Sequence, residues 1–343
     1  MPNEKYLFIT IKNHLPLARA EIENLFRIED EEDNLFLIDN VEMDVTEIFD
    51  RLAYTNFVNK IIFSASTLEE LKNEIKNINK TEFDIQGSFM IRSKIDLDIK
   101  EFANLIWNQS NKPEVNLKNP DNIIEIVKFK EKYLLTHRIW GNNKEFFNRK
   151  PHMRPSLHPT SLDPRLARAC VNIIAKNQSQ TKQRTQTILD PFCGSGGFLI
   201  EAGLMGINSI GFDLDGKMLE RTKTNLSFYK IKEDKYKLFK KDATDIDSYN
   251  SYNLRLNVEF DAIISDLPYG RASKLHNKEV LDLYQSFFKT IKEIKQVKNK
   301  KLRVLLILPD FVDEKIISKH FSIYLKYNYY IHRSLSRVVY VLD

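Results

Sequence analysis

One run of residues indicates the fold more clearly than any other: Thr187-Ile188-Leu189-Asp190-Pro191-Phe192-Cys193-Gly194-Ser195-Gly196-Gly197. Its first three residues are β-branched or apolar and predict a buried strand. The glycines that follow allow the backbone to approach a ligand closely between that strand and the next helix. Because ligands of an open α/β sheet bind at the carboxyl ends of the strands, we expect this loop to form part of a binding site.

Strands and helices alternate on both sides of this loop. The first helix of the region begins near Leu162. Apolar runs predict strands at residues 187–190, 208–213, 236–240, 260–265 and 303–308, with a last antiparallel pair near 329–342. This alternation predicts an α/β fold with a mostly parallel, doubly wound sheet.

The chain divides by pattern into three domains and a linker. Residues 1–59 and residues 60–139 each predict a small α+β unit. Residues 140–161 are rich in Asn, Lys, Arg, His and Pro and are expected to form a linker. Residues 162–343 then form the doubly wound domain. Within the first unit we predict a charged turn at residues 29–33 and a helix at 47–59.

Composition favours an enzyme of the cytoplasm. The apolar stretch around Val304 to Leu308 is too short to cross a bilayer, and the N-terminus lacks the pattern of a signal peptide. Cys170 and Cys193 are the only cysteines, whereas a disulfide framework or a zinc site needs more. We therefore expect reduced thiols, no metal and no membrane attachment.

Charge is distributed unevenly along the chain. Residues 1–59 hold five basic and thirteen acidic residues, a net charge of −8, and the remaining residues carry +13. A basic body with an acidic end predicts an oriented polyanion such as nucleic acid as partner. The alternative, that these charges only face solvent, stays open on charge alone.

Acidic residues follow three successive predicted strands. Asp190 begins the glycine loop, Asp213 ends the next strand, and Asp242 follows the third. No Gly-Lys-Ser/Thr follows the glycines, which disfavours a nucleoside triphosphate, whereas a dinucleotide remains open on spacing. A carboxylate at the position of Asp213 meets ribose hydroxyls in such folds. Asp242 could accept a hydrogen bond from an adenine amine, with Ala243 contributing a backbone N–H.

A second motif follows the strand at 260–265: Ser265-Asp266-Leu267-Pro268-Tyr269-Gly270. It resembles the Asp/Asn-Pro-Pro-Tyr/Phe/Trp motif of exocyclic-amine methyltransferases, with Leu267 in place of the first proline. In that chemistry Asp266 accepts one N–H of the amine and the Leu267 carbonyl accepts the other. Pro268 stiffens the turn and the Tyr269 ring stacks on the base. The motif alone could also be an ordinary strand-to-turn sequence.

Together, the acids and the second motif resemble Rossmann-like S-adenosylmethionine methyltransferases. The resemblance implies that Asp190 and the loop hold the zwitterionic end of S-adenosyl-L-methionine. It implies a cofactor site made of Asp190, Phe192, Gly194, Ser195, Gly196, Asp213, Asp242, Ala243 and Asp266. His158, before the first helix, could close over the cofactor.

The whole chain resembles the archaeal tRNA guanine-10 N2-methyltransferases. Residues 1–59 then correspond to a ferredoxin-like unit, and residues 60–139, with the stretch 115–120, resemble an RNA-binding THUMP domain. The resemblance implies tRNA as substrate, methylation of guanine N2 once or twice, and leaves open a small activating protein partner. Guanine 6 of tRNA, ribosomal RNA and a non-catalytic RNA-binding role remain alternatives. Candidates for phosphate contacts are Lys150, Arg154, Arg271 and Lys274.

Overall fold

The structure of the protein is a computed structural model. It describes residues 4–39, 46–78, 85–110, 113–143, 145–157, 161–175, 186–249, 259–269, 274–298, 302–332 and 335–343. The chain forms two compact units, Met1–Asn143 and Lys144–Asp343. In the described part of the chain, no helix is both long enough and apolar enough to span a membrane.

The first unit is built on one mixed sheet of eight strands. Its elements in chain order are β1 (Lys5–Thr10), α1 (Leu15–Leu25), β2 (Ile28–Glu32), β3 (Leu35–Asp39), α2 (Thr46–Phe49), β4 (Thr55–Ala65), α3 (Leu68–Asn77), β5 (Ser88–Ser93), α4 (Ile99–Gln109), β6 (Glu114–Val115), β7 (Asn122–Phe129) and β8 (Lys132–Gly141). The strand order is β2-β3-β1-β4-β8-β7-β5-β6. Strand β4 pairs with both β1 and β8, so the expected boundary between residues 59 and 60 lies inside a central strand of a shared sheet.

Two predictions for the first unit are wrong. The helix predicted at 47–59 ends at Phe49, and the chain enters strand β4 at Thr55. Pairing of β4 on both sides overrides the helical spacing of the sequence. The charged turn predicted at 29–33 is mostly strand β2, at the edge of the sheet. Charged side chains are common on edge strands because they oppose pairing with other molecules.

The second unit contains the doubly wound sheet. Its elements are α5 (Pro164–Ile174), β9 (Thr187–Asp190), α6 (Gly197–Leu204), β10 (Asn208–Asp213), α7 (Gly216–Phe228), β11 (Tyr236–Lys240), β12 (Ala262–Asp266), α8 (Lys274–Lys298), β13 (Arg303–Pro309), α9 (Glu314–Ser318), β14 (Ile323–His332) and β15 (Leu335–Leu342). The strand order is β11-β10-β9-β12-β13-β15-β14. Strands β9 to β13 run parallel, and β15 lies antiparallel between β13 and β14. This confirms the predicted fold class.

Strand order reverses between β9 and β12, which are neighbours in the sheet although they are distant in the chain. In open α/β sheets the loops at such a reversal diverge and leave a crevice at the carboxyl ends of the strands. Both sequence motifs leave the sheet here. A core that includes Leu189, Ile263, Leu306 and the α8 side chains Tyr284 and Phe287 holds the strands in place.

Residues before α5 pack as part of the second unit. Short 3₁₀ helices at Glu145–Arg149 and Pro151–Met153 occupy a stretch that we expected to be a linker. The fully buried carboxylate of Glu201 accepts hydrogen bonds from Arg149 Nε at 2.8 Å and Arg168 Nε at 2.7 Å. A buried charge without such partners would be strongly destabilising, so these bonds fix the stretch onto α6.

Candidate active site

A cavity of about 440 Å³ opens at the carboxyl ends of β9 and β12. It brings together most of the residues that the sequence singles out. The predicted residues among its lining are Asp190, Phe192, Gly194, Ser195, Asp213, Asp242, Ala243, Asp266, Leu267, Pro268 and Tyr269. Its size lies in the range of small-molecule and cofactor sites.

The glycine loop is shaped by residues that do not themselves line the cavity. Gly196 adopts φ +87°, and a Cβ there would lie 2.9 Å from Thr222 Cγ2. Only glycine accepts both the left-handed backbone and this close approach without strain. The Thr222 hydroxyl also donates to the Gly194 carbonyl at 2.6 Å. Gly196 therefore sets the course of the loop and is not part of the cavity lining.

Asp190 places a buried carboxyl at the base of the cavity. It is 2% exposed, and its Oδ1 accepts hydrogen bonds from the Ser265 hydroxyl at 2.6 Å and the Phe192 N–H at 3.2 Å. The pKa of Asp190 is raised to about 7, mainly by burial; the two hydrogen bonds lower it, and the negative charges of Asp266 and Asp213 contribute to the rise. A carboxyl in this position gains most from a cationic ligand.

The other two acids are held by the backbone around them. Asp213 Oδ2 accepts the Gly194 N–H at 3.1 Å, and its Oδ1 accepts the Asp215 N–H at 2.8 Å. Asp242 Oδ1 accepts the N–H of Thr244 at 2.8 Å and its hydroxyl at 2.7 Å. These bonds orient each carboxylate at its own strand end, towards a shared cavity.

The loop of Asp266 to Tyr269 is anchored through the backbone of its two central residues. The Leu267 N–H donates to the Ile307 carbonyl at 3.0 Å, and its side chain is fully buried. Proline has no N–H, so leucine here extends the ladder between β12 and β13 by one bond. The Tyr284 hydroxyl of α8 donates to the Pro268 carbonyl at 2.7 Å.

Asp266 lies in a network with two other side chains. The Tyr269 hydroxyl donates to Asp266 Oδ1, and the guanidinium of Arg337 lies 3.1 Å from Asp266 Oδ2. Arg337 Nε also donates to the Tyr269 hydroxyl at 2.7 Å. Burial raises the pKa of Asp266 to about 6, and Arg337 opposes that rise. Burial and the charge of Asp266 raise the pKa of the Tyr269 hydroxyl far above neutrality, so it remains a donor.

The cavity fits S-adenosyl-L-methionine, which is the methyl donor of this reaction class. The buried Asp190 carboxyl can pair with the ammonium group, and Asp213 and Asp242 offer acceptors for the ribose hydroxyls and the adenine amine. Apolar side chains complete the lining: Leu162, and three residues that the sequence did not indicate, Leu214, Met218 and Leu283. Among the described residues no cluster of acidic, Cys or His side chains could hold a metal ion.

The roles of two polar residues of the site were not predicted. Ser265, the first residue of the second motif, donates to Asp190 across neighbouring strands. Arg337 lies 68 residues after Tyr269, on β15. Alternation along the strand predicts only that position 337 and position 339 share a face. Nothing local in the sequence points from Arg337 to a motif that far away.

The predicted phosphate contacts have different outcomes. Arg154 is only 4% exposed, and it donates to the carbonyls of Arg149 and Leu162, each at 3.2 Å. The prediction that Arg154 contacts RNA is therefore wrong, because its guanidinium is used inside the unit. Lys150 is half-buried, with Nζ 5.1 Å from the centre of the Phe147 ring. Arg271, His158 and the side chain of Lys274 lie outside the described residues.

Comparison with known proteins agrees with this geometry. Residues 151–313 match a family described as RMKL-like, methyltransferase domain, and residues 25–224 match a family described as DNA methylase, a match that ends before Asp266. The crystal structure of TrmN from Thermus thermophilus has the same fold, with a TM-score of 0.53 and 17% identity over 99% of both chains.

Curated relatives define the family more closely. A tRNA (guanine(10)-N2)-dimethyltransferase of Methanothermobacter thermautotrophicus is 32% identical over 85% of this chain and 83% of its own length. The protein of the same name from Pyrococcus abyssi is 29% identical over 98% of this chain and 99% of its own. The chain is thus a methyltransferase by fold and by sequence, and it belongs to the tRNA (guanine(10)-N2)-dimethyltransferase family.

Proposed function

We propose that this protein transfers methyl groups from S-adenosyl-L-methionine to the exocyclic N2 amine of guanine 10 in tRNA, forming N2-methylguanosine and then N2,N2-dimethylguanosine. The observation that carries the proposal is that one cavity is lined both by the buried carboxyl of Asp190 and by the Asp266–Tyr269 loop. Curated relatives that match most of the chain carry this activity in their names. Cys170 and Cys193 are buried thiols that form no disulfide, which agrees with a reducing compartment, the cytoplasm.

The cofactor supplies an electrophilic methyl group, and the residues of the loop orient the acceptor. The guanine amine is a poor nucleophile because its lone pair is delocalised into the ring. Asp266 can accept an N–H in a charge-assisted bond that strengthens as positive charge develops on the nitrogen. Burial makes this bond stronger than it would be in water. The Leu267 carbonyl is the candidate for the second N–H.

No separate base is required before transfer, because the alkylated amine becomes strongly acidic and loses its proton easily. Asp266, as a carboxylate hydrogen-bonded to the amine, can accept that proton. The Tyr269 ring offers a face on which the flipped base can stack. Holding the amine and the methyl donor in line can contribute on the order of 7–11 kcal/mol to catalysis.

RNA recognition is assigned to both units. The first unit resembles a THUMP-containing region, and we propose that it binds the tRNA. In the second unit, Phe147 is 60% exposed, with Lys150 over its ring and the exposed His152 ring 6.4 Å away. An aromatic ring bordered by a lysine ammonium and an imidazole suits a nucleotide, since the base can stack and the phosphate can pair with the lysine.

The proposal is tested with purified protein, labelled S-adenosylmethionine and unmodified tRNA, followed by nuclease digestion and mass spectrometry. We expect N2-methylguanosine and N2,N2-dimethylguanosine at position 10. Asp266→Ala should bind the cofactor within a few-fold of wild type and lose turnover. The control is Asp234→Asn, which removes an exposed carboxylate just before β11, at the end of that strand opposite to Asp242 and the cavity. Label at position 6, or in ribosomal RNA, would refute the assignment to guanine 10.

A further inference from the structure

Arg337 is a buried cation that contacts both side chains of the proposed catalytic loop. It is 3% exposed and lies on β15, opposite Pro309 of β13. Its Nε donates to the Tyr269 hydroxyl at 2.7 Å, and another nitrogen of the same guanidinium lies 3.1 Å from Asp266 Oδ2. The Tyr269 hydroxyl donates to the other oxygen of Asp266. The three side chains form a closed ring of two hydrogen bonds and one ion pair.

This ring constrains the two groups that the proposed chemistry needs in fixed positions. The guanidinium is planar, and its nitrogens hold a rigid angle to one another. With Nε on Tyr269 and a terminal nitrogen on Asp266, the guanidinium fixes the carboxylate plane relative to the tyrosine hydroxyl. Each carboxylate oxygen accepts one bond in the ring and retains a lone pair. Asp266 can therefore receive an amine while it stays attached to Arg337.

The charges around Asp266 explain why a cation is needed here. Arg337 faces it from β15, Tyr269 from its own loop, Tyr284 from α8, and Asp190 from β9. The two tyrosines are neutral donors, and Asp190 is a second carboxyl. Arg337 is thus the charged group in this set that favours ionised Asp266, which burial disfavours.

We propose that Arg337 is a positioning residue for methyl transfer: it acts through Asp266 and Tyr269, holding the carboxylate as an acceptor for the guanine amine and the ring as a surface for the base. The proposal rests on the proposed function of the Asp266–Tyr269 loop. It also gives a role to β15, the antiparallel strand of the sheet, because that strand carries the cation to the site.

The test uses the full-length protein and the variants Arg337→Gln, Arg337→Lys and Tyr269→Phe. The matched control is Lys326→Gln, which removes an exposed cation of β14 that pairs with Glu314. Measured quantities are kcat and KM on tRNA across pH, the Kd for S-adenosylmethionine by calorimetry, and the pKa of Asp266 by carboxyl ¹³C NMR. Circular dichroism checks that each variant folds.

We expect Arg337→Gln to lower kcat about 10²-fold, with the cofactor Kd changed about threefold or less, since misorientation alone has effects of this size. The pKa of Asp266 should rise above that of wild type, and the acid limb of kcat should move to higher pH with it. Arg337→Lys should restore the acid limb but only part of the rate, because lysine supplies charge without the fork. Tyr269→Phe and Arg337→Gln should be non-additive, as expected for one network.

Two kinetic outcomes would overturn the proposal. One is a kcat for Arg337→Gln close to that of wild type, and the other is a parallel loss of kcat, cofactor affinity and folding in both Arg337 variants, which indicates a purely structural role. If Arg337→Gln does not fold, Arg337→Lys and Tyr269→Phe carry the same comparison. If wild-type protein does not methylate guanine 10, the proposed function fails separately. In that case the NMR titration still tests the role of Arg337, because a pKa of Asp266 that is the same in Arg337→Gln and in wild type refutes the coupling between these two side chains.

Discussion

Cofactor binding should depend on pH through Asp190. In the unliganded protein burial raises its pKa from 3.8 to about 7. The cationic ammonium of the cofactor pairs only with the ionised carboxylate. With a pKa of about 7 the ionised fraction is about one half at pH 7 and about one eleventh at pH 6, so the Kd should rise about fivefold between pH 7 and pH 6 and by nearly a further tenfold by pH 5. Above pH 8 the ligand's own amine begins to lose its proton.

The same shift has a consequence for stability. The folded pKa of Asp190 is higher than its unfolded value, so the neutral carboxyl favours the folded state. That contribution is present below pH 3.8 and is lost as pH rises to about 7; the difference corresponds to on the order of 4 kcal/mol. Unliganded protein should lose stability over this range, and S-adenosylmethionine should restore part of it at pH 7 to 8.

Calorimetric titration with S-adenosylmethionine from pH 5 to pH 8.5 measures this dependence, with Asp190→Asn and Ser265→Ala as variants. Asp190→Asn should bind more weakly at pH 7.5 and show no acid limb. Ser265→Ala removes a hydrogen bond that lowers the pKa of Asp190, so its acid limb should lie at higher pH than that of wild type. An affinity that stays constant from pH 5 to pH 7.5 in wild type, or an acid limb that persists in Asp190→Asn, would refute this reasoning.

Two further predictions concern the loops. Leu267→Pro removes the N–H that donates to the Ile307 carbonyl and part of a fully buried side chain. It should lower the free energy of unfolding, measured by urea denaturation, by about 2–4 kcal/mol. A variant as stable as wild type would show that this bond is dispensable. Gly196→Ala should cost about 1–3 kcal/mol, because of its positive φ and the 2.9 Å approach to Thr222. The control is Gly216→Ala at the start of α7, where an added Cβ meets nothing within 4 Å. Equal losses of stability in the two variants would contradict a special requirement for glycine at position 196.

The cofactor loop could be predicted from sequence because its chemistry is local. Asp190, Asp213 and Asp242 each follow an apolar strand, and parallel strands bring their carboxyl ends to one edge of the sheet. Recognising the strands was therefore enough to bring three distant acids together. The Asp266–Tyr269 loop follows from the same rule, since β12 is a neighbour of β9.

Residues that act across the fold could not be found in this way. Arg154 lies in a basic stretch of sequence typical of phosphate contacts, yet its guanidinium donates to two backbone carbonyls in the interior of the unit. Arg337 is the opposite case: its sequence context is that of an ordinary strand residue, yet it lies in the site because β15 is placed between β13 and β14 in the sheet. Most of the helix predicted at 47–59 is absent for a related reason, because pairing of β4 with β1 and β8 overrides the local helical pattern. In each case the partner lies far away in sequence, and only tertiary structure decides the outcome.

The two carboxyls of the site are electrostatically coupled through the sheet. Negative charge on Asp266 raises the pKa of Asp190, and Ser265, the residue before Asp266, donates to Asp190 across the strand pair β9 and β12. Electrostatic repulsion is reciprocal, so negative charge on either carboxyl disfavours ionisation of the other, and a cation beside one of them offsets part of that repulsion. Arg337 favours ionised Asp266, and the ammonium of the cofactor would favour ionised Asp190 in the same way. We therefore expect cofactor binding to lower the pKa of Asp190 below its unliganded value of about 7, so that near neutral pH both carboxyls are ionised together more fully when the cofactor is bound.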